Sequence, residues 1–464
     1  MLGRGGSPRW WPPRELAPTP AYVHDGLVAD RDYRHNFLVL TADGLLFFLG
    51  MAFISFEAVL PVFLVRLGAP ALAIAVLPVV QAIGVHLPSI LVSAHIERSP
   101  RKLPILLRYS IWQRLPWALV AVLIPLLAVG RPGAMIAVTL AAAAVTTFAA
   151  GLVLPAFFGI IASTIPADRR GGLFALRSVV SYLFGIGAGV LVRVILERTV
   201  FPANYTLLFA LATGTLFAGW YVFSRVREPS PAAADGAATV AAEPAPAGPV
   251  RGPTPMRAIR RSVAIARDVL ASSAGFRAYN AMRVVLMLSF AATAFFPVYI
   301  VERLGLGDGA AGVFSILTAA TFVVVNPAFG LVGDRIGYKP LFVVSFVSLI
   351  ACSAIGLFAT SAFWLYSLVV LSAVSRSVNL FAWNMTIEYA PPGRTPSFIG
   401  ASGLIIGLVA PLAIATGWIV DAFGYGALFA FTGATAIAGG TILLLRVREP
   451  RRAHREINRP DAPA

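Results

Sequence analysis

Three ionisable side chains lie deep inside long apolar stretches of this sequence: Asp43 and Glu57 in one stretch, and Arg376 in another. A charge in such a place is costly, so each of these residues is a candidate for function. A carboxyl group removed from water favours its neutral form and can take up and release a proton near neutral pH. Asp43 and Glu57 are 14 residues apart, which predicts a shared helix face and a separation of about 21 Å. Both are therefore candidate proton carriers, with permanent pairing to an arginine as the alternative.

The polar neighbours of Arg376 indicate a binding site for a polar or anionic molecule. Asn379 and Trp383 follow Arg376 at helical spacing, so the three side chains lie near one face of a helix. Asn384 lies directly after them in the sequence. Alternatively, Arg376 neutralises one of the two acids and has a structural role.

Other polar side chains within apolar stretches are weaker candidates. Asn326 and His86 could line a cavity, and a histidine could titrate near neutral pH, although a lone buried histidine more often packs through a hydrogen bond. Charged residues near the ends of apolar stretches can extend to water along their stems. The residues assigned to this last class are Arg177, Arg193, Arg283, Glu388 and Asp421.

The composition indicates which elements must position these residues. The chain has 464 residues, of which 58% are hydrophobic and 12% charged, whereas soluble domains have about 25% charged residues. A helix of about 20 apolar residues spans a bilayer and satisfies its own backbone hydrogen bonds. Twelve spans are predicted, at 37–65, 71–94, 103–129, 134–165, 172–196, 202–224, 280–302, 310–332, 340–359, 362–389, 397–422 and 425–445.

Lys and Arg residues are distributed unequally between the two sides of the predicted membrane. With the N-terminus inside, the inner segments carry 27 of the 37 Lys and Arg residues. The outer loops carry four, namely Arg66, Arg131, Arg198 and Arg303. Because cytoplasmic loops are enriched in Lys and Arg, both termini are predicted to be cytoplasmic. The expected location is the cell (inner or plasma) membrane, as a multi-pass protein.

The predicted spans form two groups of six, separated by a polar segment. Residues 229–256 are rich in Pro and Ala, which predicts a disordered linker. Residues 257–275 mix basic and apolar side chains, which fits either an amphipathic helix on the inner membrane surface or a solvated linker. The predicted organisation is an N-terminal tail (1–35), a first bundle (36–228), a linker (229–275), a second bundle (276–449) and a C-terminal tail (450–464).

The two groups of spans are a tandem repeat. The pentapeptide Arg-Val-Arg-Glu-Pro ends both groups, at 225–229 and 446–450. Pro61 near the end of span 1 matches Pro297 near the end of span 7, and the charged loop after span 2 matches the loop after span 8. Matched elements have the same span number and direction, so the repeat is parallel, with its axis along the membrane normal.

The strongest motif is GLVGDRIGYK at 330–339, in the loop between spans 8 and 9. It resembles the loop motif that the major facilitator superfamily of secondary transporters carries between the second and third span of each half. The resemblance covers all twelve predicted spans and implies an all-α membrane protein, with twelve transmembrane helices in two tandem six-helix bundles. It also implies that spans 1 and 10 line a central cavity and that span 3 is peripheral. By this resemblance, Arg114 of span 3 is expected to form a buried structural ion pair.

By this resemblance, the motif holds the inner face shut while the outer face is open. Gly330 would permit close helix approach. Asp334 would lie near the positive N-terminus of span 11. Arg335 and Lys339 would pair with carboxylates or anionic lipid, next to Gly337 of the same motif.

Other parts of the chain depart from the superfamily's patterns. The matching loop of the first half contributes Glu97, Arg98 and Lys102, but Glu97 replaces the aspartate and Pro100 the second glycine. Proton-driven drug exporters of the superfamily carry a Gly-Pro-Gly-Gly motif in span 5 and an arginine in span 4. Here, predicted span 5 has no proline and predicted span 4 has no charge, which disfavours an ordinary drug–proton antiporter.

The sequence does not contain the motifs that are typical of several other classes of protein. Neither lysine of the chain ends a nucleotide-binding glycine loop, and no hydrolase or metal-binding motif is present. The net charge of +16 is spread between spans, which does not predict a nucleic-acid partner. No enzymatic activity, cofactor or metal is expected. The expected function is secondary active transport of a small solute by a monomer in the bilayer, with proton coupling; a non-transporting sensor or scaffold and a lipid flippase are the alternatives.

Overall fold

The computed structural model describes residues 30–97, 99, 101–228, 255–391 and 394–449. These residues form helices joined by short turns, without a β-strand among them. Eleven helical segments are long and apolar enough to cross a membrane. They number eleven rather than twelve because the last segment, Ser397–Arg446, is 50 residues long and contains both predicted spans 11 and 12.

The span numbers of the prediction are kept for the observed helices. The first half contains Asp30–Phe53 and Val59–Arg66 (span 1), Ala71–Glu97 (span 2), Leu103–Ser110 and Leu115–Leu127 (span 3), Pro132–Thr164 (span 4), Ala167–Arg198 (span 5) and Ala203–Phe223 (span 6). The remainder contains Pro255–Ser272, Ala274–Ala292 and Phe296–Leu304 (span 7), Ala310–Ile336 (span 8), Lys339–Phe358 (span 9), Ala362–Glu388 (span 10), and Thr395–Val409 and Ala415–Arg446 (spans 11 and 12).

Spans 1 and 7 are interrupted at matching positions of the repeat. Span 1 loses helical geometry before Val59, and span 7 passes through a 3-10 turn at Thr293–Phe295. Pro61 and Pro297 explain both breaks, because proline has no N–H to donate to the carbonyl four residues earlier. That carbonyl belongs to Glu57 in span 1.

Glu57 therefore lies in a helix break rather than on a continuous helix. The backbone here is irregular, and the N–H of Leu60 donates to the carbonyl of Ser55, five residues earlier, at 2.9 Å. The prediction that Glu57 shares a helix face with Asp43 is wrong, because it assumed an unbroken span 1. The break also gives the Glu57 side chain access to a neighbour that a regular helix would not offer.

The final segment changes direction at Gly424. Its backbone has φ +76° and ψ −179°, inside a run that is otherwise helical. Glycine adopts positive φ without the steric cost that a Cβ atom imposes. This residue lies in the gap between predicted spans 11 and 12.

Contacts between spans occur within each half and across the two halves. In the first half, span 1 packs on spans 5 and 6, and span 2 packs on span 4. In the second half, span 9 packs on span 10 and on the final segment, and span 8 packs on span 10. Span 5 packs against span 8, and span 2 against span 11, so these four spans join the halves.

Two close approaches between the halves lie toward the predicted outer ends. A Cβ atom on Gly312 of span 8 would come within 2.4 Å of the backbone nitrogen of Arg193 in span 5. A Cβ atom on Gly417 would come within 2.7 Å of the Cα of Leu72 in span 2. The carboxylate of Asp421 accepts from the N–H groups of Ala71 and Leu72, at 3.0 Å each. Small residues thus allow the halves to meet backbone to backbone at this end.

The helix Pro255–Ser272 packs on protein. Its residues Ala266 and Val269 are buried in the hydrophobic core of the second half, together with Phe276 and Phe398. Asp268 on its exposed side forms an ion pair with Arg394. The predicted contact with the membrane surface is therefore replaced, for this apolar face, by a contact with span 11. Residues 229–254 of the predicted linker and both predicted tails, except for residues 30–35, lie outside the described residues.

Candidate functional site

A single ion pair joins the polar residues of span 1 to those of span 10. The guanidinium Nη1 of Arg376 lies 3.3 Å from Oε1 of Glu57. The side chain of Arg376 is 17% exposed and that of Glu57 is 40% exposed, so the pair is reachable by water or a small molecule. Ser55 donates to the second carboxylate oxygen of Glu57 at 3.3 Å. The pair connects the two halves of the chain, one of the alternatives that the sequence left open for Arg376.

Two further spans contribute polar groups to this region. Tyr182 of span 5 lies within electrostatic reach of Glu57 and Arg376, and next to Asn326 of span 8. Its ring packs on Phe322 of span 8, with centroids 5.1 Å apart. Asn326 is buried, and its Oδ1 has no hydrogen-bond partner among the described residues. Spans 1, 5, 8 and 10 therefore surround one polar region. Tyr182 was missed in the sequence, where a tyrosine in an apolar stretch is indistinguishable from a packing residue.

Asp43 forms a separate, buried ion pair within the first half. Nη2 of Arg177 in span 5 donates to its Oδ2 at 3.0 Å, and Nη1 of Arg177 donates to the carbonyl of Leu40 at 3.0 Å. Asp43 and Arg177 are 4% and 8% exposed. The Arg177 guanidinium also lies over the ring of Phe157, 5.0 Å from its centroid. The expectation that Arg177 extends to water is thus wrong.

Close packing around this pair fixes the arginine. A Cβ atom on Gly44 would lie 2.3 Å from Cγ of Arg177. Gly44 therefore provides the space along span 1 in which the arginine stem lies. The sequence could not reveal this, because Gly44 and Arg177 are brought together only by the packing of span 1 on span 5.

Arg114 is buried, as predicted for a structural residue, but its partners differ from the prediction. Its Nε donates to the carbonyl of Leu216 at 2.8 Å, and its Nη1 to the carbonyl of Ser110 at 2.5 Å. Gln113 Oε1 accepts a further bond at 3.2 Å. Span 3 breaks at Ile111–Gln113, just before Arg114, and this break leaves carbonyls for a guanidinium to satisfy. The predicted ion pair is thus replaced by bonds to carbonyls, with Asp43 acting electrostatically from farther away.

A second polar cluster surrounds Arg283 of span 7. Arg283 is 9% exposed, and its guanidinium lies 5.6 Å from the ring of Trp383 and 5.8 Å from that of Tyr279. Its Nη1 donates to Ser402 Oγ of span 11 at 2.7 Å. The ring of His86 lies 5.6 Å from that of Trp383, across the boundary between the halves. The expectation that Arg283 extends to water is wrong, since its stem points into the protein.

The structure divides the set of residues predicted around Arg376. Arg376 pairs with Glu57, whereas Trp383 contacts His86 and Arg283. Asn379 and Asn384 are exposed. The helical spacing placed Arg376 and Trp383 on one face, but the face is long enough to serve two separate clusters.

The duplicated pentapeptide closes each half at its predicted inner end. Both carboxylate oxygens of Glu228 accept from the N–H of Lys102, at 2.9 and 3.0 Å, and one of them from the N–H of Leu103 at 3.1 Å. In the second half, Glu449 accepts from the N–H of Lys339 at 2.8 Å. Each glutamate therefore caps the first turn of the third span of its half. The repeat was evident in the sequence, but this role was not.

The loop motif at 330–339 meets the second of these glutamates. Gly337 has φ +98°, and a Cβ atom there would lie 2.4 Å from the Glu449 carboxyl carbon. The ammonium of Lys339 donates to the carbonyl of Val447 at 2.7 Å. Around Gly330, the nearest atom to an added Cβ is Cε1 of Phe381, at 3.9 Å. The predicted close approach at Gly330 is not present in this conformation, whereas the positive φ of Gly337 requires glycine at that position of the motif.

Two further charged residues of the loop motif, Asp334 and Arg335, are exposed at the end of span 8. In the first half, the side chain of Glu97 and all of Arg98 lie outside the described residues. The arrangement seen here ties the motif to the end of span 12 through Glu449 and Lys339.

Replacing Glu228 by alanine is expected to lower the free energy of unfolding by about 1 kcal/mol. The N–H groups of Lys102 and Leu103 would lose their acceptor, and the N-terminus of span 3 would lose a compensating negative charge. Glu228→Gln keeps an acceptor and should lose less. Thermal unfolding of the purified variants in detergent measures this, with the exposed Glu197→Gln as control. An unchanged unfolding midpoint for Glu228→Ala would contradict the capping role.

Comparisons with known protein families agree with this architecture. The model of the Major Facilitator Superfamily matches residues 279–464. Two uncharacterised transporters of the major facilitator type from Mycobacterium tuberculosis, of strains CDC 1551 / Oshkosh and H37Rv, are each 30% identical to this chain over 174 residues. Each match covers 36% of this chain, and the chain spans 41% of the length of each relative.

Solved structures of transporters share the fold. A nucleoside transporter has a TM-score of 0.65 at 11% identity, over 89% of this chain and 100% of that chain. A D-xylose–proton symporter has a TM-score of 0.65 at 14% identity, over 90% and 98% of the two chains. A POT family transporter in complex with 5-aminolevulinic acid has a TM-score of 0.66 at 12% identity, over 91% and 96%. Residues 279–464 therefore match the Major Facilitator Superfamily, and the chain shares the fold of solved transporters.

Proposed function

We propose that this protein is a secondary active transporter that moves a small solute by alternating access and is driven by protons. It would consist of two six-helix bundles, at 36–228 and 276–449, with twelve spans once Gly424 is taken to divide the final segment. The match of residues 279–464 to a transporter superfamily supports this, as does the fold shared with solved transporters. The solute would bind near the midplane, between the bundles.

The ion pair between Glu57 and Arg376 is the observation that carries the proposal. It joins the two halves, and it is partly exposed rather than sealed in packing. Ionised Glu57 attracts Arg376 and favours conformations in which spans 1 and 10 are close. A proton on Glu57 removes that attraction, so protonation changes the relative free energies of the two facing states, which is what coupling requires.

Asp43 is less suited to this role than Glu57. Its partner Arg177 belongs to the same half, and both side chains are buried. Protonation of Asp43 would therefore disturb packing within one bundle rather than the contact between bundles. We assign proton coupling to Glu57 and a structural role to Asp43.

The polar groups around the pair offer contacts for a solute. Asn326 has an amide oxygen without a protein partner among the described residues, and Tyr182 presents a hydroxyl to the same region. The close contacts of Gly312 and Gly417 lie toward the predicted outer end. This supports a conformation that is closed on the outside. The distribution of Lys and Arg supports a location in the plasma membrane with both termini cytoplasmic.

Transport can be tested before the solute is identified. A thermal-shift screen of the purified protein against metabolites, ions and drugs selects ligands, because a ligand of the folded state raises its stability in proportion to ln(1 + [L]/Kd). Uptake of each ligand is then measured in proteoliposomes with an imposed pH gradient. We expect accumulation above equilibrium that a protonophore abolishes. Absence of flux would contradict transport and favour a sensor, and protonophore-insensitive, downhill flux would contradict proton coupling.

A further inference from the structure

Arg283 is a buried cation without a counter-charge among the residues that the structure describes. Its guanidinium has five N–H groups; Nη1 donates to Ser402 Oγ at 2.7 Å, and the hydroxyl of Tyr279 is a second, neutral acceptor. Ser402 is itself tied to Asn280, to whose Oδ1 it donates at 2.6 Å. No carboxylate oxygen of the described residues lies within 4.0 Å of the guanidinium. Its other neighbours are the faces of Tyr279 and Trp383.

The other arginines inside the spans of this structure are satisfied differently. Arg177 has the carboxylate of Asp43 and the carbonyl of Leu40. Arg376 has the carboxylate of Glu57. Arg114 has two carbonyls and the amide oxygen of Gln113. Removal of a guanidinium from water is unfavourable unless charges and hydrogen bonds replace the water, and the described part of the protein supplies too few of these groups to Arg283.

The surroundings of Arg283 add donors from the other half of the chain. His86 of span 2 lies against Trp383, and its ring nitrogens have no hydrogen-bond partner among the described residues. Gly403 of span 11 adjoins His86, where an added Cβ atom would lie 3.5 Å from Nδ1. Because residue 403 is a glycine, span 11 places no side chain of its own against Nδ1 at this point. The lining therefore combines a guanidinium and an imidazole, whose N–H groups can donate to an anion, and the rings of Tyr279 and Trp383 hold the guanidinium in place.

We propose that Arg283 and His86 bind an oxyanion, the carboxylate or phosphate group of a ligand, between spans 2, 7, 10 and 11. The biological meaning of the ligand as a transported solute rests on the proposed transport function; an anionic lipid headgroup is the other source of the same chemistry. The ligand's negative charge replaces the counter-charge that the described residues do not provide. Arg376, for which the sequence left both anion binding and ion pairing open, is already neutralised by Glu57.

This assignment separates two tasks along span 10. Arg376 and Trp383 are seven residues apart, which is about 10 Å along the helix axis. An anion at Arg283 and Trp383 thus leaves the pair of Glu57 and Arg376 free to respond to protons. The anion site also has a residue from each half, His86 and Arg283, so occupancy would depend on how the halves are arranged.

The test is the anion dependence of stability, measured on the full chain in phosphatidylcholine nanodiscs. Potassium phosphate and potassium citrate are each titrated against potassium chloride at equal ionic strength, and a separate sample contains phosphatidylglycerol in the nanodisc. We expect a saturable rise of the unfolding midpoint in the wild type. Arg283→Gln should weaken the apparent affinity at least tenfold, whereas Arg108→Gln, at an exposed arginine of span 3, should leave it unchanged.

A second variant covers the case in which Arg283→Gln does not fold. Ser402→Ala keeps the charge but removes the bond that orients the guanidinium, and it should weaken the affinity severalfold. A rise with phosphate or citrate indicates a soluble anion, and a rise with phosphatidylglycerol alone indicates a lipid headgroup. A wild type that shows no saturable rise with any of the three probes overturns the proposal, as does an equal rise in Arg283→Gln.

The outcome is independent of the transport assay. An anion effect that requires Arg283, in a protein without measurable flux, would support the site and contradict the proposed function. Proton-driven flux that is unchanged in Arg283→Gln, together with no anion effect on stability, would support the proposed transport function and contradict the anion site.

Discussion

Replacing Glu57 by glutamine is expected to abolish uphill solute uptake and to preserve solute exchange. Glutamine has nearly the same shape but cannot ionise, so the attraction to Arg376 is permanently absent and no proton can change it. The two facing states then keep a fixed relative free energy, whatever the pH gradient. Exchange of solute needs no net proton movement and should continue at a rate near that of the wild type.

Both activities can be measured in the same proteoliposomes. Uphill uptake is driven by an imposed pH gradient, and exchange is followed by counterflow of labelled solute. Glu197→Gln is the matched control, because Glu197 forms an ion pair with Arg193 at 2.8 Å but is 48% exposed and lies at the predicted outer end. Full uphill uptake by the Glu57→Gln protein would exclude Glu57 as the proton carrier.

Replacing Asp43 by asparagine should have the largest effect on stability of any single change at the ion pairs described here. It leaves the Arg177 guanidinium buried without its carboxylate, and breaking a buried pair in this way costs about 3–5 kcal/mol. The double variant Asp43→Asn/Arg177→Gln removes the unpaired charge and should recover part of the loss. Unfolding of the purified proteins in detergent, by heat and by denaturant, measures both effects.

An exposed pair provides the control for this prediction. Asp32 and Arg227 form an ion pair at 2.7 Å, with side chains 36% and 55% exposed. Asp32→Asn should cost at most about 1 kcal/mol, because water replaces the lost partner. If Asp43→Asn is as stable as Asp32→Asn, the buried pair does not have the structural role assigned to it. A folded Asp43→Asn protein that loses uphill uptake and keeps exchange would instead return proton coupling to Asp43.

The spans and their internal breaks were determined largely by local sequence. Runs of about 20 apolar residues can be satisfied in a membrane only as helices, and the predicted spans fall within eleven observed helical segments, the last of which contains predicted spans 11 and 12. Proline cannot donate a hydrogen bond to the carbonyl four residues before it, so Pro61 and Pro297 determine where spans 1 and 7 break. The repeat made these breaks occur twice. These features do not depend on which helix packs on which.

The partners of the charged residues were decided only by the tertiary structure. Asp43 and Arg177 are 134 residues apart in sequence, and Tyr279 reaches a carbonyl 103 residues away. Arg376 pairs with Glu57 rather than with Asp43 because of how spans 1, 5 and 10 pack. The break in span 1 contributes, since Glu57 does not lie on the helix that contains Asp43. The sequence predicted that Arg177 and Arg283 extend to water because both lie near the ends of predicted spans. It did not show that a neighbouring helix buries each of them. The duplication of the pentapeptide could be read from the sequence, but the capping role of its glutamates could not. Glu228 and Glu449 become caps only because another helix begins next to each of them in the folded protein.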